Sequence, residues 1–361
     1  MTFDKNKPYN NLPLLPPLTE VETKAVLKKA ILAREALGRL TAANRRLPNE
    51  SLLVNAVLLQ EAKSSSEIEN IITTNYKLFQ AAVSETKVTD PATKEVLRYP
   101  RALWRGLELV RERRFVNTPT FIEIVNIVKG NTAGLRKVPG TAVVNGQTKE
   151  IIYIPPEGES VIAEKLKNLE VFLNTTGDGI DLLVKMAIAH YQFEAIHPFH
   201  DGNGRTGRIM NILFLVQHGL LSQPILYLSK YIIEHKNDYY NALRGVTERG
   251  EWEAWIVYML EAVEKTATHS EAKIEAICAL MKSATEHIKR DLPAIYSREL
   301  VDELFRLPYC KRDFLVTAGL VKEKTAGRYL TNLEKIGILG AVKVGREKLY
   351  INKKFYELLK M

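Results

Sequence analysis

Cysteine is scarce in this chain. Cys278 and Cys310 are the only two in 361 residues, too few for a disulfide framework and wrongly spaced for a thiolate metal site. Long apolar runs are missing too. The best, residues 212–216, stops at Gln217 and His218, far short of the roughly 20 apolar residues that cross a bilayer. The opening residues, MTFDKNKPYNN, lack the basic-then-apolar order of a secretion signal. No internal repeat is evident, which excludes solenoid and propeller architectures. These absences lead us to expect a cytoplasmic, reduced protein with no membrane contact.

What is present is ordinary in bulk: 46% hydrophobic and 26% charged residues, with length for two or three domains and a sizeable core. The net charge of +9 is uneven. Residues 296–361 hold 14 Lys/Arg against 8 Asp/Glu. Such an excess reads as a solvated lysine-rich face or as a nucleic-acid contact.

Taken in order, the prolines of LPLLPPL (residues 12–18) exclude helix and favour an extended arm packed along the body. Thr19 followed by Glu22 forms a capping box, predicting a helix from Thr19 with apolar residues at Leu27, Ala30, Ile31 and Leu37. A second helix is expected from about Glu50, and it runs into KSSSEIEN (63–70), where Ser65 and Glu69 share a helix face. By itself that segment is a solvated face. Further helices are expected at about 99–113, 121–128, 161–173, 182–193, 205–217, 238–247, 251–267 and 270–289. Residues 141–144 and 151–153 flank Asn145-Gly146, a strong turn signal, and predict a lone β-hairpin. The hairpin is either decoration or a flap that pairs with an extended peptide. In the tail, helices at 298–307, 311–317 and 324–336 precede a strand, the turn Gly345-Arg346-Glu347 and a second strand, the order of a winged helix-turn-helix. The expected domains are an N-terminal helical region (1–100) with a distinctive helix at about 60–72, a core (101–290) and a winged helix-turn-helix (291–361).

Residues 197–208 read HPFHDGNGRTGR, and here the chemistry concentrates. Gly202 and Gly204 can adopt positive φ and leave N–H groups open, forming an anion nest at the start of a helix. Asn203 adds an amide between them. Arg205 and Arg208, three apart, can clamp further phosphate oxygens with their guanidinium forks. Asp201 suits Mg²⁺, which is held by one or two carboxylates plus phosphates and water. His197 is the natural general base, since an unperturbed imidazole with pKa about 6.5 is mostly neutral near pH 7.5. Two other readings compete. Gly202-x-Gly204-x-x-Gly207 matches the dinucleotide fingerprint in letters, but no strand precedes it and no acidic residue follows at about 20 positions. His190, His197, His200 and Asp201 would serve a metal hydrolase, though two adjacent arginines would repel its metal.

The twelve residues resemble the Fic signature, HPFx(D/E)GNGRxxR, at every defined position, and FEAI (193–196) before them also fits. The resemblance implies a mainly α protein: a Fic-type helical core with a β-hairpin flap, plus the small C-terminal winged helix-turn-helix often appended to long bacterial members. It implies transfer of AMP from ATP, with Mg²⁺, to a Ser, Thr or Tyr hydroxyl of a target protein. His197 would deprotonate that hydroxyl, Asp201 would hold Mg²⁺, and the Gly202-Asn203-Gly204 backbone and amide would bind the phosphate oxyanion. Arg205 and Arg208 would secure the β- and γ-phosphates. The flap, with Thr141, Val143 and Ile152, would align the target. KSSSEIEN also fits the family's inhibitory pattern, (S/T)xxxE(G/N), at Ser65, Glu69 and Asn70, and Glu69 would then pair with Arg208. Tyr239 and Tyr240 resemble a pair near the adenine in relatives, and read equally well as core. Thr247 stands where relatives often have Asn. A nucleotide-sensing DNA-binding regulator, a de-AMPylase in which Glu69 positions a water, and another nucleotidyl or phosphoryl transferase are the alternatives. Expected partners are a target protein, DNA through helix 324–336, and, by analogy alone, a second copy in a homodimer.

Overall fold

The computed structural model describes residues 3–84, 88–132, 134–144, 150–344 and 347–360. It is mainly helical, as expected, and divides into two compact units. One comprises residues 1–37, 98–222 and 228–266, the other residues 38–97, 223–227 and 267–361.

The first helix, α1, spans Lys24–Asn44 and starts later than the capping box at Thr19 predicts. Glu22 explains the difference. Its Oε1 accepts the Asp181 backbone N–H at 2.8 Å and so is not turned back on Thr19, while Thr23 Oγ1 accepts from Val26 N–H at 3.3 Å. Helix α2 spans Val54–Ile68 rather than beginning at Glu50. Asn49 Oδ1 accepts from Ser51 N–H at 2.9 Å, and this local turn competes with helix over residues 49–53. Two short helices then follow that periodicity did not reveal, α3 (Asn75–Val83) capped by Thr74 and α4 (Pro91–Val96) capped by Asp90.

Helices α5 (Arg98–Arg113) and α6 (Thr118–Lys129) fall where expected. Strands β1 (Val143–Val144) and β2 (Ile151–Tyr153) pair antiparallel, Val144 opposite Ile151 and Val143 opposite Tyr153, with an irregular register. Their connecting turn, Asn145-Gly146, lies outside the described residues. A two-stranded hairpin is marginal alone. This one is anchored: Tyr153 Oη donates to Ala195 O at 2.7 Å, and the Phe3 and Tyr9 rings sit 6.0 and 6.2 Å from that of Tyr153. The proline-rich arm packs as expected, with Leu12 and Leu15 buried and Lys165 Nζ donating to Leu12 O at 2.8 Å.

Next come α7 (Glu159–Asn174), α8 (Leu182–Ile196) and α9 (Asn203–Gln217). Helix α8 is apolar nearly all round and buried on nearly every side, and residues 203–215 of α9 are buried throughout. These two are the core of the first unit. Gly207 sets their approach: a Cβ there would meet Phe193 Cδ1 at 3.1 Å and His190 Cε1 at 3.3 Å. Helix α10 (Leu228–Glu234) was not anticipated, and α11 spans Lys236–Arg249. The two helices expected at 251–267 and 270–289 are one 40-residue helix, α12 (Trp252–Asp291). Thr268 and His269 are weak helix formers, but no glycine or proline interrupts the backbone ladder.

The tail carries α13 (Arg298–Arg306), β3 (Tyr309–Cys310), α14 (Arg312–Thr317), α15 (Glu323–Lys335), β4 (Gly340–Val344), β5 (Glu347–Ile351) and α16 (Lys353–Lys360). Three helices and a β4–β5 hairpin are the expected order. Strand β3, which joins β5 to make a sheet ordered β3-β5-β4, and α16 are additions. The wing turn Gly345-Arg346 lies outside the described residues.

Helix α2 ends in a Schellman motif. Asn70 has φ +63°, its N–H reaches Glu67 O at 3.0 Å, and Ile71 N–H reaches Ser66 O at 2.9 Å. Only glycine and, at modest cost, asparagine or aspartate take this conformation readily. Asn70→Ala should therefore destabilise the protein by about 1 kcal/mol, and Asn70→Gly by a few tenths at most. Urea midpoints of the three proteins would check the order; equal midpoints for Ala and Gly would contradict it.

Candidate active site

The chain passes from α8 to α9 through six residues, 197–202. Pro198 has no N–H and disfavours right-handed helix for the residue before it, so α8 must stop. His197 is its C-cap, with φ +48° and ψ +57°, and its N–H still reaches Phe193 O at 3.0 Å. A left-handed histidine is uncommon and has to be held from outside.

Arg136 holds it. This guanidinium is buried, with 1% exposure. Its Nε donates to His197 O at 2.7 Å, and its Nη2 donates to Ile196 O at 3.1 Å and Pro156 O at 2.6 Å. Its backbone N–H donates to Pro198 O at 3.0 Å. One residue thus ties the His197 turn to the segment leaving the flap. Burial lowers its pKa, with Glu157 partly opposing, yet a guanidinium keeps its charge at neutral pH. The sequence reading missed Arg136. The only signal was an arginine in a turn-rich stretch, GLRKVPG.

Asn203 closes the loop from the other end. Its Oδ1 accepts from Phe199 N–H at 2.9 Å and its Nδ2 donates to Phe199 O at 2.7 Å. The amide expected to meet phosphate is therefore engaged with the loop itself. Gly202, with φ +85°, is the N-cap of α9, and a Cβ on it would meet Val125 Cγ2 at 3.0 Å. Thr206 N–H makes the first intrahelical bond, to Gly202 O at 3.0 Å. The N–H groups of residues 203–205 precede that bond at the positive end of the helix dipole.

Asp201 Oδ1 accepts from Gly202 N–H at 2.5 Å and lies 3.8 Å from Arg205 Nη2, while Oδ2 lies 2.5 Å from Lys129 Nζ. Partial burial works to raise its pKa, but the Lys129 hydrogen bond and charge, with Arg205 and the Gly202 N–H, outweigh it and hold the carboxyl below its ordinary value. Arg205 and Arg208 are each 1% exposed.

His190 lies in the core of α8, its Nε2 2.8 Å from Tyr239 Oη. Burial, reinforced by the charge of Arg208, depresses its pKa to about 3, so it is neutral at ordinary pH. The metal-hydrolase reading finds no support, because among the described residues no group of three or more His, Cys, Asp or Glu comes together as metal ligands. A single hard carboxylate, Asp201, is the kind of ligand Mg²⁺ takes when phosphate and water supply the rest. The dinucleotide reading also fails, because α8 rather than a strand leads into the glycines and Gly207 is spent on helix packing.

Tyr239 is buried against Trp255 and Tyr258, with ring centroids 5.6 and 6.0 Å away, so it is core. Tyr240 is 40% exposed. Thr247 Oγ1 pairs with Tyr191 Oη at 3.0 Å. In the flap, Thr141, Val143 and Ile152 are half-buried. Ser65, Glu69 and Asn70 belong to the second unit, where Ser65 is buried in the last turn of α2 and Glu69 is its C-cap.

Residues 27–108 match the model of the Fic/DOC family N-terminal region, residues 116–215 that of the Fic/DOC family, and residues 280–355 that of the C-terminal domain of SoFic-like protein adenylyltransferases. The chain belongs to the Fic/DOC family. Protein adenylyltransferase fic-1 of Caenorhabditis elegans is 32% identical over 134 residues, covering 37% of this chain and 24% of the relative. Protein adenylyltransferase Fic of Aedes aegypti is 28% identical over 159 residues, 44% of this chain and 30% of the relative. The chain thus spans a quarter to a third of the length of these relatives. A Fic family protein of Desulfovibrio desulfuricans has the same fold over 93% of this chain and 98% of its own, with TM-score 0.60 at 19% identity. The Caenorhabditis elegans Fic-1 fragment (aa134–508) aligns over 72% and 74%, with TM-score 0.52 at 22% identity. No helix among the described residues is long and apolar enough to cross a membrane.

Arg136→Ala would leave three carbonyl acceptors without their donor and should cost about 3 kcal/mol or more. Arg136→Lys keeps the charge but not the fork and should fall between. Thermal melts of the three proteins test this; an unchanged melting temperature for Arg136→Ala would show that the fork does not hold the turn.

Proposed function

We propose that this protein transfers AMP from ATP to a Ser, Thr or Tyr hydroxyl of target proteins and of itself, and that Glu69 restrains it. One observation carries the reading. A left-handed histidine closing α8 stands a few residues from the anion-binding start of α9, and both ends of the connecting loop are fastened. His197 takes the proton of the acceptor hydroxyl as that oxygen attacks the α-phosphorus. The new P–O bond forms as the α,β-bridging bond breaks, and pyrophosphate leaves. The N–H groups that open α9 face the phosphate oxygens, and Arg205 and Arg208 clamp the β- and γ-phosphates. Asp201 is the residue that would hold Mg²⁺, whose charge offsets that of the phosphates. Tyr240 contacts the base, and the flap residues Thr141, Val143 and Ile152 align the target segment.

Restraint follows from charge. A Glu69 carboxylate on Arg208 takes the fork that the γ-phosphate needs, and ATP then sits with its α-phosphate misplaced. A displacement of about 1 Å can cost on the order of 10²-fold in rate. The Schellman end of α2 supports this role, because it fixes the backbone at Glu69.

Glu69→Gly should raise self-modification by about 10- to 10²-fold, and His197→Ala should abolish it. Intact mass spectrometry after incubation with Mg·ATP reads the gain of one AMP. An unchanged rate in Glu69→Gly would remove the restraint; labelling by His197→Ala would remove the base.

A second activity is favoured by the tail. A groove of about 560 Å³ beside α15 is lined by Arg312, Glu323, Lys324, Arg328, Thr331, Asn332 and Lys335. The four cations suit phosphates, and Thr331 and Asn332 suit base edges. We infer duplex DNA as the occupant. Fluorescence anisotropy with a labelled duplex should show salt-dependent binding, and Lys324→Ala/Arg328→Ala should lower the log–log salt slope by about 2. No binding at 50 mM salt would rule it out.

A further inference from the structure

Asp201 is already occupied by the protein's own donors. Oδ1 takes the Gly202 N–H at 2.5 Å, with Arg205 Nη2 at 3.8 Å, and Oδ2 takes Lys129 Nζ at 2.5 Å. The last of these joins a largely buried side chain to an exposed one: Lys129 is 20% exposed and Asp201 64%. Its stem lies along the loop, Cγ and Cδ standing 3.4 and 3.5 Å from where a Cβ on Gly202 would be. Its backbone is pinned as the last residue of α6. Arg98 Nη1 donates to Lys129 O at 2.8 Å, and Gly130 beyond it is left-handed, φ +68°. The ammonium is therefore delivered to Oδ2 by a built helix end and a glycine that makes room for it.

We propose that Lys129 is the resident counter-cation of Asp201, and that it keeps a divalent cation off this carboxylate until a nucleotide supplies further ligands. The inference rests on the reading of Asp201 as the metal's carboxylate. The physical ground is simple. A single carboxylate offers a divalent cation little in water, and an ammonium at the same oxygen opposes it by direct repulsion. Phosphate oxygens change the balance, because they bring ligands for the metal and a second anion for the ammonium. The free protein thus takes its metal together with the nucleotide, not ahead of it. Lys129 acts as a positioning residue: it decides when the carboxylate is available.

The test uses Mn²⁺ as the probe, with no nucleotide or target present, so it succeeds or fails independently of AMP transfer. Free Mn²⁺ is followed by its EPR signal during titration of the full-length wild type, Lys129→Met, Lys129→Arg and Lys129→Met/Asp201→Asn. Lys129→Met should bind one Mn²⁺ at least about tenfold more tightly than wild type. Lys129→Arg should stay weak, and the double variant should lose the gained site. Lys129→Gln is the substitute should Lys129→Met not fold by circular dichroism. Affinity in Lys129→Met no higher than wild type, or a gained site that survives Asp201→Asn, would overturn the proposal. If Mn²⁺ behaves as expected while Glu69→Gly transfers no AMP, the transfer reading fails and the counter-cation stands.

Discussion

The turn between α8 and α9 is where the rest of the first unit finds its reason. Three consecutive carbonyls, of Ile196, His197 and Pro198, all face Arg136, and Asn203 grips Phe199 through both of its amide atoms. None of these bonds uses the imidazole of His197 or the N–H groups that open α9. The groups that fix the loop are distinct from those assigned to the proposed chemistry. Holding reacting groups in place before the substrate arrives reduces what binding has to order, and positioning of that kind accounts for a large share of many rate enhancements.

The charge around this turn is unusual for a protein interior. Arg136, Arg205 and Arg208 are each about 1% exposed. Buried cations are costly unless their donors are satisfied. Arg136 meets that demand with backbone carbonyls, which satisfy its donors without cancelling its charge. The effect on neighbours is visible in His190, kept neutral with a pKa of about 3 by burial and by Arg208. It is visible also in Asp201, held ionised by Lys129 and Arg205 despite partial burial. Cations thus act on both groups before any ligand is considered, and Asp201 is balanced between a lysine and the metal it is read to bind.

The twelve-residue stretch could be singled out because its residue types stand together in the sequence. The glycines, the proline and the arginines of HPFHDGNGRTGR all lie in the loop or in the first turns of α9. Arg136 and Lys129 were not legible, because their partners lie 61 and 72 positions along the chain and nothing in their surroundings announces the contact. Element boundaries failed for the same reason. Thr19 carries a proper capping signal, but Glu22 answers to Asp181 instead. The break expected near Thr268 was a matter of composition, and helix α12 ignores it because the backbone there has no cause to stop. Asn203 is the instructive middle case: the right residue was singled out, and the loop, not a phosphate, takes its amide.

Two motifs of different expected purpose turn on the same backbone device. His197 and Asn70 are two of the three non-glycine residues with positive φ among the described residues, and each stands at or just past the end of a helix. At Asn70 the pattern tolerates Gly or Asn, which are the residues that take such a conformation at low cost. At His197, which we propose as the reacting imidazole, the conformational cost is met by Arg136. Gly207 makes the complementary point, since its place in the signature is undefined yet this chain needs it for α8 and α9 to meet. Letters that look like active-site chemistry are thus divided among three duties: reacting groups, backbone that only small or amide residues can follow, and close packing. A substitution in the second or third class would move His197 relative to α9 while leaving the side chains of the first class intact.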